Sequence, residues 1–310
     1  MDMNKKIRLY SLVITAFALI AIFTSNSYDS SSQEEASAVN VGDLPQQIRP
    51  VDLDRPFDLA GERVPMDNFD VRERLDRELL VNSYWQSSTL LNIKRTTRYF
   101  PIIEKILAKN GIPDDFKYLA VAESDLMNGS SHAGAKGVWQ FMENTGEFYG
   151  LEINKEVDER YHIEKATEAA CQYIEGYKKR FGNWTMAAAA YNVGGTRLAK
   201  EVEEQKATSY YDLNLYVETS RYVFRVIALK EILSRPKDFG YYVEAADMYP
   251  PLDDYDIVKV EGAIESLADF AQQHNVSYRL LKVYNPWLRS GKLTNASRKT
   301  YEIKIPRKKL

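Results

Sequence analysis

The chain has 310 residues, a net charge of −3 and an apolar content of 45%, which suits a globular protein of more than one folded unit. Its single cysteine, Cys171, has no partner for an intrachain disulfide, and His132, His162 and His274 are scattered without ligand spacing, so a disulfide framework, metal catalysis and any cofactor are not indicated. Residues 26–254 hold 27 Lys and Arg against 38 Asp and Glu, a poor basis for binding nucleic acid, whereas residues 255–310 hold 11 against 5. That basic tail fits either an anionic polymer as partner or an ordinary solvated surface.

Residues 1–25 open with Lys5, Lys6 and Arg8, continue as an apolar run from Leu9 to Phe23, and exit into small polar residues. The order is that of a secretory signal peptide. The run falls short of the roughly 18 residues of a spanning helix, and no clean small-x-small cleavage site follows it, so a retained N-terminal membrane anchor stands as the alternative. Either way the body is exported. No cysteine follows the run, so a lipoprotein is not expected. Residues 26–60 are rich in Ser, Gln, Glu, Asp and Pro without a sustained apolar period and read as a disordered linker.

Residues 61–250 read as one all-α domain. From Met66 to Leu233 apolar side chains recur at three- and four-residue spacing. Helical segments are expected to start near Asp67, Pro101, Asp114, Val138, Ile163, Trp184, Thr196 and Tyr216, with Gly111, Gly150, Gly182 and Gly194-Gly195 as punctuation. Cys171 falls within the stripe Ala166, Ala170, Tyr173, Ile174 and Tyr177, as a small core residue would. Beyond Pro250-Pro251 the pattern changes. Tyr255–Val260 and Tyr301–Ile305 alternate as strands do, and two short helices, Ile264–His274 and Tyr278–Tyr284, lie between them. Residues 251–310 thus form a β-α-α-β module, small enough to need support from the helical part.

The helix around Pro113–Leu126 carries the first chemical signal. Phe116, Leu119 and Ala120 define its buried stripe, and Glu123 follows Leu119 by four residues and Ala120 by three, so its carboxyl points with the apolar side chains. Burial raises a carboxyl pKa toward the range in which it can donate a proton at working pH. Taken alone, Glu123 fits better a helix-end carboxylate reaching solvent. Downstream, Ser130–Gly137 is a small-residue loop leading into Val138-Trp139-Gln140-Phe141-Met142, where Gln140 offers both a donor and an acceptor to polar groups of a ligand. Ala187–Ala190 then gives a helix with little side-chain bulk, ending in Tyr191-Asn192.

Four motifs, Glu123-Ser124, Gly137-Val138-Trp139-Gln140, Ala190-Tyr191-Asn192 and Glu218-Thr219 with Tyr222-Val223, resemble in order and spacing those of the soluble lytic transglycosylase family. The Gly-x-Trp-Gln-Phe-Met form and the Thr145–Leu151 continuation resemble its membrane-bound murein transglycosylase D branch. The resemblance spans roughly residues 80–235. It implies a lysozyme-like helical fold with a groove for peptidoglycan strands, with Glu123 as the catalytic acid and base. Ser124 and Gln140 match family positions that contact substrate or orient the glutamate, Tyr191 and Tyr222 match aromatic hydroxyls near the reacting centre, and Asn192 matches the asparagine beside it. Glu143 departs from the family, which usually has proline there. The C-terminal module resembles a degenerate LysM unit through Ser277-Tyr278, Leu280-Leu281, Asn285-Pro286 and the closing Tyr301–Pro306, and either binds glycan or serves as a structural lid.

Most glycosidases use two carboxylates. Here only Glu123 matches a catalytic place; Asp125, Glu143 and Glu147 are the candidates for a second, each expected to face solvent. With one catalytic glutamate, the reaction the resemblance implies is intramolecular, with the MurNAc C6 hydroxyl attacking C1 to leave a 1,6-anhydro end. The rivals are a hydrolytic muramidase on the same fold and a non-catalytic envelope protein that holds peptidoglycan. The resemblance implies peptidoglycan strands as partner and the periplasm or cell envelope as location.

Overall fold

The computed structural model describes residues 49–307. The signal-peptide or anchor reading of residues 1–25, and the linker reading up to residue 48, fall outside them. Among the described residues no helix is long and apolar enough to cross a membrane.

The packed body begins before residue 61. Phe57, Leu59 and Val64 are buried, and a two-residue hairpin pairs β1 (Asp58–Leu59) with β2 (Glu62–Arg63). Lys230 bridges Asp58 and Asp115 at 2.9 and 2.7 Å, and Arg55 pairs with Glu231. The expected linker therefore does not run to residue 60. Its polar composition conceals the two apolar anchors Phe57 and Leu59, too few to give a periodic signal.

Among the described residues eight α-helices build the body: α1 (Phe69–Tyr84), α2 (Gln86–Lys109), α3 (Lys117–Ser124), α4 (Glu143–Phe148), α5 (Ile163–Phe181), α6 (Trp184–Val193), α7 (Gly195–Gln205) and α8 (Val217–Ser234). α8 is the central element and packs on α1, α3 and α6, with Val223, Phe224, Val226, Ile227 and Ala228 all at 0% exposure. Ala187–Ala190, also at 0%, let α6 lie close against α5 and α8. Glu62 caps α6 by accepting from the Trp184 and Thr185 amides at 2.6 and 2.8 Å, placing negative charge at a helix N-terminus.

Two expected helix starts fail. Pro101 lies inside α2, which stays continuous because Ile93 before it and Ile103, Ile106 and Leu107 after it are all buried. No helix starts at Val138. Lys136 pairs with Ser130 and Phe141 in isolated antiparallel bridges, Gln140 takes φ 51°, and the helix begins only at Glu143.

The C-terminal module has the β-α-α-β order: β3 (Tyr255–Val260), α9 (Leu267–Gln273), α10 (Tyr278–Tyr284) and β4 (Tyr301–Pro306), with β3 and β4 antiparallel in the register Val260↔Tyr301 to Tyr255↔Pro306. Asn285, fully buried, fastens α10 to β4 by donating to the Leu281 and Lys304 carbonyls and accepting from the Lys304 amide. The module's apolar core of Leu267, Leu281, Leu288 and Ile303 also takes in Val157 and Tyr161 of the helical body. Lys299 and Lys304 pair with Glu152 and Glu164 across this junction. Part of the basic tail thus neutralises the acidic body.

Candidate active site

The end of α3 is held in a defined place. Asp125 ends the helix in the left-handed region at φ 53°, followed by Leu126 at φ 54°, a conformation that costs a non-glycine residue roughly 1–2 kcal/mol. Partners on α2 offset that cost: Asn92 and Ser88 donate to the Asp125 carboxylate at 2.7 and 3.3 Å, and Arg95 donates to its carbonyl at 3.0 Å. Asp125 is half-buried and engaged, not facing solvent as expected. Glu143 and Glu147 are exposed.

Glu123 lies in the last turn of α3, partly accessible at the surface. Tyr222 of α8 donates its hydroxyl to Glu123 Oε1 at 2.5 Å. Burial pushes the carboxyl up to about 7; the Tyr222 hydrogen bond and the Arg225 charge oppose the rise, and the Glu218 carboxylate adds to it. The phenols of Tyr222, Tyr191 and Tyr173 are all held above their ordinary range, by burial first, with the Glu123 charge contributing. Glu123 therefore stands among three neutral phenols, near one cation and one other carboxylate. A carboxyl poised near neutrality can both give and take a proton.

The turn joined to the end of α3 through Ser124 is tied down from two sides. Ser124 donates to the Val138 carbonyl at 2.8 Å, and Tyr191 donates to the Trp139 carbonyl at 2.7 Å. Trp139 is fully buried, and its indole donates to Thr167 at 2.8 Å. These bonds leave Gln140 half-exposed at φ 51°, its amide nitrogen on the Gly137 carbonyl at 2.7 Å. Gly137 has no alternative residue: at φ 82°, a Cβ would stand 1.8 Å from the Arg160 carbonyl oxygen. Asn192 accepts from Thr219 at 3.0 Å, linking the end of α6 to α8 one turn before Tyr222.

Of the six residues singled out in the sequence, Glu123 and Tyr222 touch. Ser124 and Tyr191 have their hydroxyl protons on backbone carbonyls, so they hold the Gln140 turn. Sequence reasoning missed Arg225 and Tyr173 as neighbours of the carboxyl, and took Glu218 only as part of a motif. Tyr173 stood in a stripe that reads as core, and Arg225 follows Tyr222 by three residues, a helical spacing that could have drawn attention to it. Glu143 is the first residue of α4, where an acidic side chain suits the helix N-terminus. Cys171 is buried and unpaired, its thiol pushed up to about 12 by burial and the Glu168 charge, which leaves no thiolate for chemistry. Two clefts, of about 420 and 450 Å³, lie at the module junction beside Glu152 and Tyr301 and on the module beside His274 and Arg307; neither includes Glu123.

Residues 100–214 match the family model described as the transglycosylase SLT domain, and residues 256–309 match the soluble lytic transglycosylase C-terminal LysM-like domain. Membrane-bound lytic murein transglycosylase D of Escherichia coli K12 is 30% identical over 78% of this chain and 53% of its own length. A putative tributyltin chloride resistance protein of an Alteromonas strain is 28% identical over 40% of this chain and 60% of its own. The chain thus spans about half the length of the curated relatives it matches. A solved inactive mutant of lytic transglycosylase Slt from Pseudomonas aeruginosa is 18% identical, with a TM-score of 0.41 over 58% of this chain and 31% of that one.

Proposed function

We propose that this chain, whose residues 100–214 match the transglycosylase SLT domain and residues 256–309 the soluble lytic transglycosylase LysM-like domain, is an exported peptidoglycan lytic transglycosylase with Glu123 as its acid and base. The observation that carries the reading is a carboxyl held near pH 7 by burial at the end of α3, with Tyr222 on one of its oxygens. The protonated Glu123 gives its proton to the oxygen between MurNAc and GlcNAc as the C1–O bond breaks. The resulting carboxylate then takes the proton of the MurNAc C6 hydroxyl as that oxygen bonds to C1. A 1,6-anhydro-MurNAc end and a free GlcNAc hydroxyl result, and no water is consumed. Proton transfer of this kind contributes ~10²- to 10⁴-fold, and the attacking hydroxyl gains further from already belonging to the same sugar. The name of the murein transglycosylase relative and the apolar run Leu9–Phe23 support action on peptidoglycan in the envelope, with residues 1–25 as signal or anchor.

Glu218 gives specific support to a second reading, a hydrolytic muramidase. It is an exposed carboxylate one turn before Tyr222 and close enough to raise the Glu123 pKa. Such a group could activate water on the opposite face of the sugar. Glu218→Gln separates the two. Under the transglycosylase reading turnover persists, and the alkaline limb of the pH–rate profile moves to lower pH because a charge that raised the Glu123 pKa is gone. Loss of turnover together with wild-type products that carry a reducing end would establish the muramidase.

A further inference from the structure

We propose that Asp158 and Arg160 are positioning residues through which the C-terminal module braces the turn that carries Gln140, an inference that rests on the lytic transglycosylase reading for its effect on turnover. Residues 151–162 lie between the module and that turn. On one side the module grips them. The Asp158 amide donates to the Trp287 carbonyl at 2.9 Å, the Arg289 amide donates to the Glu156 carbonyl at 2.7 Å, and the Thr294 amide and hydroxyl donate to the Glu156 carboxylate at 2.6 and 2.7 Å. The Arg289 guanidinium covers the Tyr161 ring at 4.0 Å.

On the other side the same segment holds the turn. The Arg160 carbonyl occupies the space a Gly137 Cβ would need, the Arg160 guanidinium reaches the Phe141 carbonyl at 3.4 Å, and Lys136 lies 3.6 Å from the Asp158 carboxylate. Asp158 and Arg160, at 3% and 1% exposure, join the two sides through paired bonds of 2.9 and 2.7 Å. A bidentate buried pair fixes direction as well as distance, and a single ammonium cannot reproduce it. A small error in the geometry of a reacting site is costly, so slackening this brace should reach the chemistry.

Two measurements on the full chain test the brace. Amide hydrogen exchange is followed in wild type and in the double variant Glu156→Ala, Arg289→Ala, which loosens the junction without touching either buried residue. The peptide spanning residues 136–141 is expected to exchange about tenfold faster, while α5 amides keep their protection. Faster exchange at residues 285–294 with unchanged protection at 136–141 would overturn the proposal. In the second measurement, Arg160→Lys on a soluble glycan is expected to lower kcat about tenfold or more with little change in KM. An unchanged kcat, or an effect confined to KM, would count against it. Wild type releasing no fragments would defeat the functional reading, and the exchange measurement would still decide on the brace.

Discussion

The pairing of Glu123 with Tyr222 sets what the site can do at the scale of single residues. Glu123→Gln keeps the shape but can neither give nor accept the proton, so turnover is expected to fall at least ~10²-fold with circular dichroism unchanged. The same substitution has a signature in stability. Because the folded-state pKa of Glu123 is raised from 4.5 to about 7, the wild-type site carries no penalty below about pH 4.5, and ionisation destabilises the fold progressively as pH rises to 7 and above. Glu123→Gln should therefore match wild type in thermal unfolding near pH 4 and exceed it by up to about 3 kcal/mol above pH 7. A constant difference across that range would show that the carboxyl is not buried as described. Tyr222→Phe removes a bond that favours the carboxylate, so the alkaline limb of the pH–rate profile is expected to move upward and turnover to fall. The direction of the Glu123 side chain was legible from its spacing to Leu119 and Ala120. Its contact with Tyr222 is not a matter of spacing, since 99 residues separate the two, and only the resemblance to known motifs paired them.

Helices, turns and strands supply the rigidity that this chemistry needs. The turn 136–141 admits no side chain at Gly137, and Gly137→Ala is expected to cost about 3 kcal/mol or more in thermal unfolding, because both the φ of 82° and the Arg160 carbonyl at 1.8 Å oppose a Cβ. In the module, Asn285→Ala leaves the Lys304 amide and carbonyl without their buried side-chain partner, and a loss of about 2–4 kcal/mol is expected in thermal unfolding. The long helices were readable because their apolar periodicity persists over many turns, and the β3–β4 alternation was readable for the same reason. The irregular pieces were not. Pro101 reads as a helix start, yet buried isoleucines on both sides carry α2 through it. The Val138–Met142 run has a helix-like apolar density, yet the bridges of Lys136 and the bonds from Ser124 and Tyr191 hold it as a turn. In both places long-range contacts override the local signal.

As a whole molecule the described chain is a helical body with a small module packed against its segment around Glu152–Glu164. The charge asymmetry visible in the sequence acquires a local meaning here, because Lys299 and Lys304 meet Glu152 and Glu164 at the junction. Where the acidic body would meet its basic partner could not be read from composition, which records charge but not its placement. The N-terminal anchors Phe57 and Leu59 were hidden in the same way by their polar neighbours. The central claim, a one-carboxylate cleavage that consumes no water, is tested most directly by the mass of its products. The purified full chain and its Glu123→Gln variant are incubated with peptidoglycan, and the soluble fragments are weighed. Fragments ending in 1,6-anhydro-MurNAc, lighter by one water than reducing ends and released by wild type alone, are the expected result; reducing ends, or equal release by the variant, would contradict it.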